Sequence, residues 1–138
     1  NKMDLNKIFT SFSKAGDNQV DFKQTPTFHI LMFKKKLNNH INNKFLLISS
    51  VKSKHPELKE EEILKASHYV GFNSAFQHIK YLDLDDDFVI SSINENSNKE
   101  LNDLVTKSIK FFEGENIEEY EKCAFLQKFK NIIEKNLW

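Results

Sequence analysis

Thr25-Pro26-Thr27-Phe28-His29-Ile30-Leu31-Met32-Phe33-Lys34-Lys35-Lys36-Leu37-Asn38-Asn39-His40-Ile41 and its continuation to Val51 decide the fold, because two periodicities compete there. Phe33, Leu37 and Ile41 step by four along one helix face, whereas Phe28, Ile30 and Met32 alternate as residues of a strand do. Thr25 followed by Pro26 reads as a cap with proline at the first helical position, where its missing N–H costs nothing. Asn38, Asn39, Asn42 and Asn43 are weak helix formers in the middle of the segment. Two architectures stay open. If the segment is helical and split at the asparagines, the chain is an all-α compact bundle of six or seven helices that includes helical hairpins. If residues 28–51 form a β-hairpin, the fold is α+β.

The flanking sequence favours helices. Upstream, Leu5, Ile8, Phe9 and Phe12 share one helical face, Asp4 stands as a cap, and Gly16 provides the stop. Downstream, His55-Pro56-Glu57 with Glu60, Glu61 and Glu62 resembles a first turn, since carboxylates suit the positive end of a helix. Ile63, Ala66 and Val70 would be that helix's inner stripe and Gly71 its end. Asn73 then caps a shorter helix carrying Phe76, Ile79 and Leu82. So brief a link predicts a helical hairpin or helix-turn-helix. Asp85 or Asp86 caps the next helix, with Val89, Ile90 and Ile93 inward, and Ser97 or Asn98 restarts the pattern. Leu101, Leu104, Val105, Ser108 and Phe112 then trace one face that ends at Gly114. Asn116 with Glu119 resembles a capping box for a last helix lined by Leu126, Phe129, Ile133 and Leu137.

Composition bounds the function. The 138 residues fit one domain, 1–138, and thirteen Phe supply bulky core groups, while three Gly and two Pro are too few for a turn-rich β protein. Twenty basic residues balance twenty acidic ones, so no net field draws the chain to nucleic acid or an anionic membrane. Every basic residue is Lys. The planar guanidinium fork that commonly reads guanine is therefore missing, which argues against sequence-specific DNA binding. Cys123 is the sole cysteine, so no disulfide forms within the chain. No apolar run approaches the ~20 residues of a membrane helix. The opening residues lack a signal-peptide pattern, and a cytoplasmic location is expected.

No set of catalytic reagents is legible, so the chain is expected not to be an enzyme and to need no cofactor or metal. Asp83-Leu84-Asp85-Asp86-Asp87 has the alternating acids of a calcium loop, but Phe88 and Asn94 stand where the turn glycine and the bidentate glutamate belong. A solvated, helix-capping acidic turn is the plain reading; a contact for a basic partner is the functional one. His29, His40, His55, His68 and His78 form no His-Glu-x-x-His motif, although His68 and His78 stand close enough in sequence to meet. Cys123 beside Lys122 reads as an inert thiol near an apolar face. Lys34, Lys35 and Lys36 read as a solvated helix face. Phe88, Phe111, Tyr120 and Trp138 are candidate aromatic anchors, with core packing the default for each.

Two resemblances bear on function. Ala66-Ser67-His68-Tyr69-Val70-Gly71-Phe72-Asn73-Ser74 resembles the turn of the second helix-turn-helix in AraC-type regulators, which implies a DNA-binding regulator. The acidic segment that follows departs from that family. Met3-Asp4-Leu5-Asn6-Lys7-Ile8-Phe9 and the character of the whole chain are similar to small immunity proteins of colicin and contact-dependent growth-inhibition systems. That resemblance implies a cognate protein toxin as partner, expected to be a nuclease, bound by stoichiometric occlusion. Asp83, Asp85, Asp86 and Asp87 are then the candidate toxin contacts, with Glu61 and Glu62 at the rim.

Overall fold

The computed structural model describes residues 22–137, and the expected helix over Leu5 to Phe12 lies outside them. Among the described residues there are five α-helices, one short 3-10 turn at Phe22–Gln24 and no strand. The helices are α1 (Pro26–Lys54), α2 (Glu60–Gln77), α3 (Asp87–Asn96), α4 (Lys99–Phe112) and α5 (Tyr120–Glu134). The described residues are all-α; of the six or seven helices expected from sequence, the one over Leu5 to Phe12 falls outside them, and two breaks expected in the remainder do not occur, so five helices stand there.

The first absent break is the asparagine cluster, so the β-hairpin over 28–51 is also excluded. The hydroxyl of Thr25 accepts from Phe28 N at 3.2 Å and Pro26 occupies the first turn, as the sequence predicts. Ile30, Phe33 and Leu37 are fully buried. Burying three such side chains outweighs asparagine's propensity cost of at most about 0.7 kcal/mol per residue. Asn39, Asn42 and Asn43 point to solvent, and Asn38 donates to Glu100 Oε1 at 2.9 Å.

The second absent break is Gly71. Helix α2 passes straight through Ala66 to Ser74, so there is no turn between a positioning and a recognition helix, and the helix-turn-helix expectation is overturned. The glycine answers a different need. A Cβ at Gly71 would stand 2.3 Å from His40 Cγ, so α1 and α2 approach here only because that atom is missing. Asn73 is no cap either; its Oδ1 accepts from Lys122 Nζ at 2.6 Å. Pro56 lies in the loop before α2 rather than in its first turn, which begins at Glu60.

Helices α1 and α2 form an antiparallel hairpin of unequal halves. At one end Phe33 and Leu37 of α1, with Phe72, Ala75 and Phe76 of α2, join Val89 and Ile93 of α3, the α4 stripe and Leu126, Phe129 and Ile133 of α5 in one contiguous core. Phe72 and Phe111 stack at 4.6 Å between ring centres, and Phe112 meets Phe76 edge-on at 5.7 Å. The whole expected α4 stripe, Leu101, Leu104, Val105, Ser108 and Phe112, is buried. Asn98 caps α4 by accepting from Leu101 N at 2.8 Å. The expected capping box on Asn116 is absent: Glu119 is itself the residue before α5, and Glu118 takes a positive φ of 49° in the turn.

The other end of the hairpin, residues 41–70, runs out from this core as a two-helix arm, rooted by Ile41, which packs against the core, and by His68 and Tyr69, which reach Phe111. Ile63 is buried there but stands outside the contiguous core. Ala66 and Val70, expected on the inner stripe, are exposed instead.

Candidate functional site

The acidic loop follows from the way α2 ends. Turns at Ile79 and Lys80 carry the chain out of the helix, and Leu84, buried in the core, pins the loop from below. Leu84 forces its neighbours outward, so Asp83, Asp85, Asp86 and Asp87 are all exposed. Two of the carboxylates shape the loop. Asp83 Oδ1 accepts from Asp85 N at 3.0 Å, a local turn of the kind aspartate favours, and Asp86 Oδ2 accepts from Val89 N at 3.1 Å as the cap of α3. Asp85 faces α5, where Lys128 Nζ stands 2.6 Å from its Oδ1. Asp87 opens the first turn of α3, where the helix dipole favours a negative charge.

Two aromatic rings bracket these carboxylates. Tyr81 is 85% and Phe88 65% exposed, and Lys80 Nζ lies 4.7 Å from the centre of the Tyr81 ring. Phe88 stood among the sequence candidates with core packing as the default, and the structure turns it outward. Tyr81 was missed. Its signal was available, because it follows the last buried position of the α2 end, Ile79, by two residues and so cannot share its face. Tyr120 is exposed as well, Phe111 is half-buried against Phe72, and Trp138 lies outside the described residues.

Glu61 and Glu62 do not join this loop. They sit in the first turn of α2, and the 16 residues from Glu61 to Gln77 span roughly 24 Å along the axis, with the loop beyond. The structure thus separates the rim residues from the aspartates, placing them at opposite ends of one helix.

His68 does not meet His78. It pairs with His40 across the α1–α2 hairpin, Nε2 of His40 lying 2.9 Å from Nδ1 of His68. Burial, then the neighbouring His68 charge and Lys44, holds His40 below the ordinary histidine value; burial and Lys44 do the same to His68. The hydrogen bond needs one ring nitrogen as acceptor, so at least one of the two rings is neutral. Among the described residues no three His, Cys, Asp or Glu side chains converge as a metal site.

Cys123 Sγ is 3.7 Å from Ile109 O, and burial together with Glu113 and Glu119 pushes its thiol up, away from the thiolate a nucleophile needs. Its neighbour Lys122 is engaged elsewhere, 2.8 Å from Glu119 and 5.0 Å from the centre of the Phe112 ring. Tyr69 donates to the other oxygen of Glu119 at 3.0 Å, so this polar group ties α2 to the start of α5.

One further feature had no counterpart in the sequence reading. On the arm, Leu47, Val51, Leu58, Ile63, Ala66 and Val70 line an open cleft of about 500 Å³, with Glu62 at its edge and Ser67 in its wall. No helix among the described residues is long and apolar enough to cross a membrane. Comparison of the chain with protein-family models, with curated proteins and with solved structures finds no match in any of the three.

Proposed function

We propose that this chain is a protein-binding inhibitor of the immunity type, which neutralises a partner bacterial toxin, a nuclease, by one-to-one occlusion. The observation that carries the reading is the acidic loop: four exposed aspartates held in a fixed turn between two outward aromatic rings. Aromatic anchors dominate the energetics of protein interfaces, and here two of them flank the carboxylates in sequence. The carboxylates steer the lysines and arginines of a nucleic-acid-cleaving surface into register, and the rings supply the desolvated centre. Because the loop is pinned by Leu84 and capped by Asp86, it is ordered before binding, which lowers the entropy lost on association.

The test is titration calorimetry against the toxin encoded by the reading frame next to this chain's gene. One-to-one binding is expected. Asp85→Lys and Asp87→Lys together should weaken it by at least about tenfold, and Tyr81→Ala by a similar factor. Asp83 and Asp86 are left intact, since the first shapes the turn and the second caps α3. Unchanged affinity in both variants removes the loop from the interface; no binding to any nuclease toxin removes the reading.

A further inference from the structure

The arm carries an apolar face that nothing among the described residues covers. Around α2, Val70 lies about 160° from the core residue Phe72 at 100° per residue, so the α2 wall of the cleft is turned away from the core. Val70 is 64% exposed at one edge of it. On α1, Leu46 stands about 100° around the helix from the cleft-lining Leu47 and is 70% exposed. Ser67, which also lines the cleft, is buried, and its Oγ has no hydrogen-bond partner among the described residues. A buried hydroxyl left so costs about 1–3 kcal/mol, and an occupant carrying a hydrogen-bonding group would remove that cost.

Charge identifies the occupant. The α1 half of the arm, residues 41–54, holds Lys44, Lys52 and Lys54 and no acid. The opposite half, residues 55–70, holds Glu57, Glu60, Glu61 and Glu62 against Lys59 and Lys65. The α1 half of the arm is therefore basic and the α2 half acidic on balance. A two-fold axis running along the arm lays the α1 half of each copy over the α2 half of the other, so each basic half meets an acidic one. Projections and hollow are then also shared: Leu46 and Val70 of each copy face the cleft of the other.

We infer that the arm is a self-association surface, on which a second copy of this chain seats its own arm to form a four-helix layer. Glu61 and Glu62, far from the acidic loop, thereby take part in pairing the two copies, and each copy keeps its aspartate loop free at the outer end. This inference does not rest on the proposed inhibitor function.

Sedimentation equilibrium on the full chain tests it. The wild-type chain is expected to be dimeric at about 100 μM, with self-association weakened at least about tenfold by Val70→Asp or by Leu46→Glu and strengthened as salt is lowered. Both substitutions fall at exposed positions, and helical circular dichroism identifies any variant that loses its fold; the second then decides. A wild-type chain that stays monomeric at that concentration overturns the inference, as does a dimer unaffected by either substitution.

Discussion

The two ends of the α1–α2 hairpin are built on different terms. At the core end, α1 and α2 are covered by α3, α4 and α5, and Phe33, Phe112 and Phe129 are fully buried. At the arm end the same two helices lean mainly on each other, with His68 and Tyr69 reaching Phe111 of α4 and the Glu119 carboxylate. They meet through Ile63, the His40–His68 pair and the gap left by Gly71, while Phe45, Leu46 and Val70 stay exposed. A single helix can thus belong to two regimes, one governed by a shared apolar core and the other by a few polar and steric contacts. Stability is expected to be unequal along it, with the arm opening before the core.

The sharpest way to break the core end is Phe112→Ala. Phe112 is fully buried and meets Phe72, Phe76 and Phe111 edge-on. Its loss should cost about 3–5 kcal/mol in urea unfolding. The equivalent truncation on the arm, Phe45→Ala, should change stability by less than about 0.5 kcal/mol at concentrations where the chain is monomeric. Similar losses at both positions would show that the arm is packed after all.

Gly71→Ala probes the junction between the two regimes. In an exposed helix interior this change gains about 1 kcal/mol. Here the new methyl would meet the His40 ring, bringing Cγ to 2.3 Å and Nδ1 to 2.4 Å, so the sign should reverse to a loss of about 1–3 kcal/mol. Combining it with His40→Ala should recover part of the loss, a coupling that a double-mutant cycle measures directly. Stabilisation by Gly71→Ala alone would mean that the helices do not approach as described.

The histidine pair makes the arm sensitive to acid. His40 and His68 are both held below the ordinary value of 6.5, chiefly by burial, so the folded chain binds fewer protons there than the unfolded chain. Their contribution is intact above pH 6.5 and is lost as pH falls through 6.5 toward the lower folded values. Protection factors of the amides in residues 41–70, which remove the intrinsic pH dependence of exchange, should therefore fall on acidification in that window, ahead of those in α4. His78, lowered by burial, Lys36 and His29, adds the same sign at the far end of α2. His68→Gln separates the two sites, since it should flatten the pH response of the arm alone. An arm whose exchange keeps its full pH dependence in that variant would exonerate the pair.

What the sequence made legible tracks this division. Helices α3 and α4 were largely readable because each is amphipathic and packs on one side: of the paired cap candidates Asp86 and Asn98 serve, Val89, Ile93, Leu101, Leu104, Val105, Ser108 and Phe112 are buried, and Ile90, expected inward, is half-buried. Where two helices share a boundary the reading failed. Gly71 carries the local signature of a helix stop, and only a partner 31 positions away in sequence, His40, explains why it sits mid-helix. The asparagines of α1 were weighed by propensity, which tertiary burial of Ile30, Phe33 and Leu37 overrides. For the acidic loop, clustered charge marked the aspartates, but their separation from Glu61 and Glu62 depends on α2 being one unbroken rod. Ala66 and Val70 looked like core residues because an apolar stripe has the same spacing whether its cover is the same chain or another.

The smallest effect is expected where the acidic loop touches the core end through charge alone. Lys128 Nζ and Asp85 Oδ1 are 2.6 Å apart, yet both side chains are largely exposed. Exposed pairs are screened by water and salt and pay side-chain entropy for their geometry, so Lys128→Ala should cost no more than about 0.5 kcal/mol. The same substitution releases Asp85 from its internal partner. If the loop binds a basic surface, the variant should associate faster with the toxin at low salt, and the gain should fade as salt screens it. A loop that merely caps α3 would show neither change, because Asp86 makes that cap without help from Asp85 or Lys128. Stopped-flow association rates at two ionic strengths therefore separate a working acidic surface from a solvated turn, using a variant whose stability hardly moves.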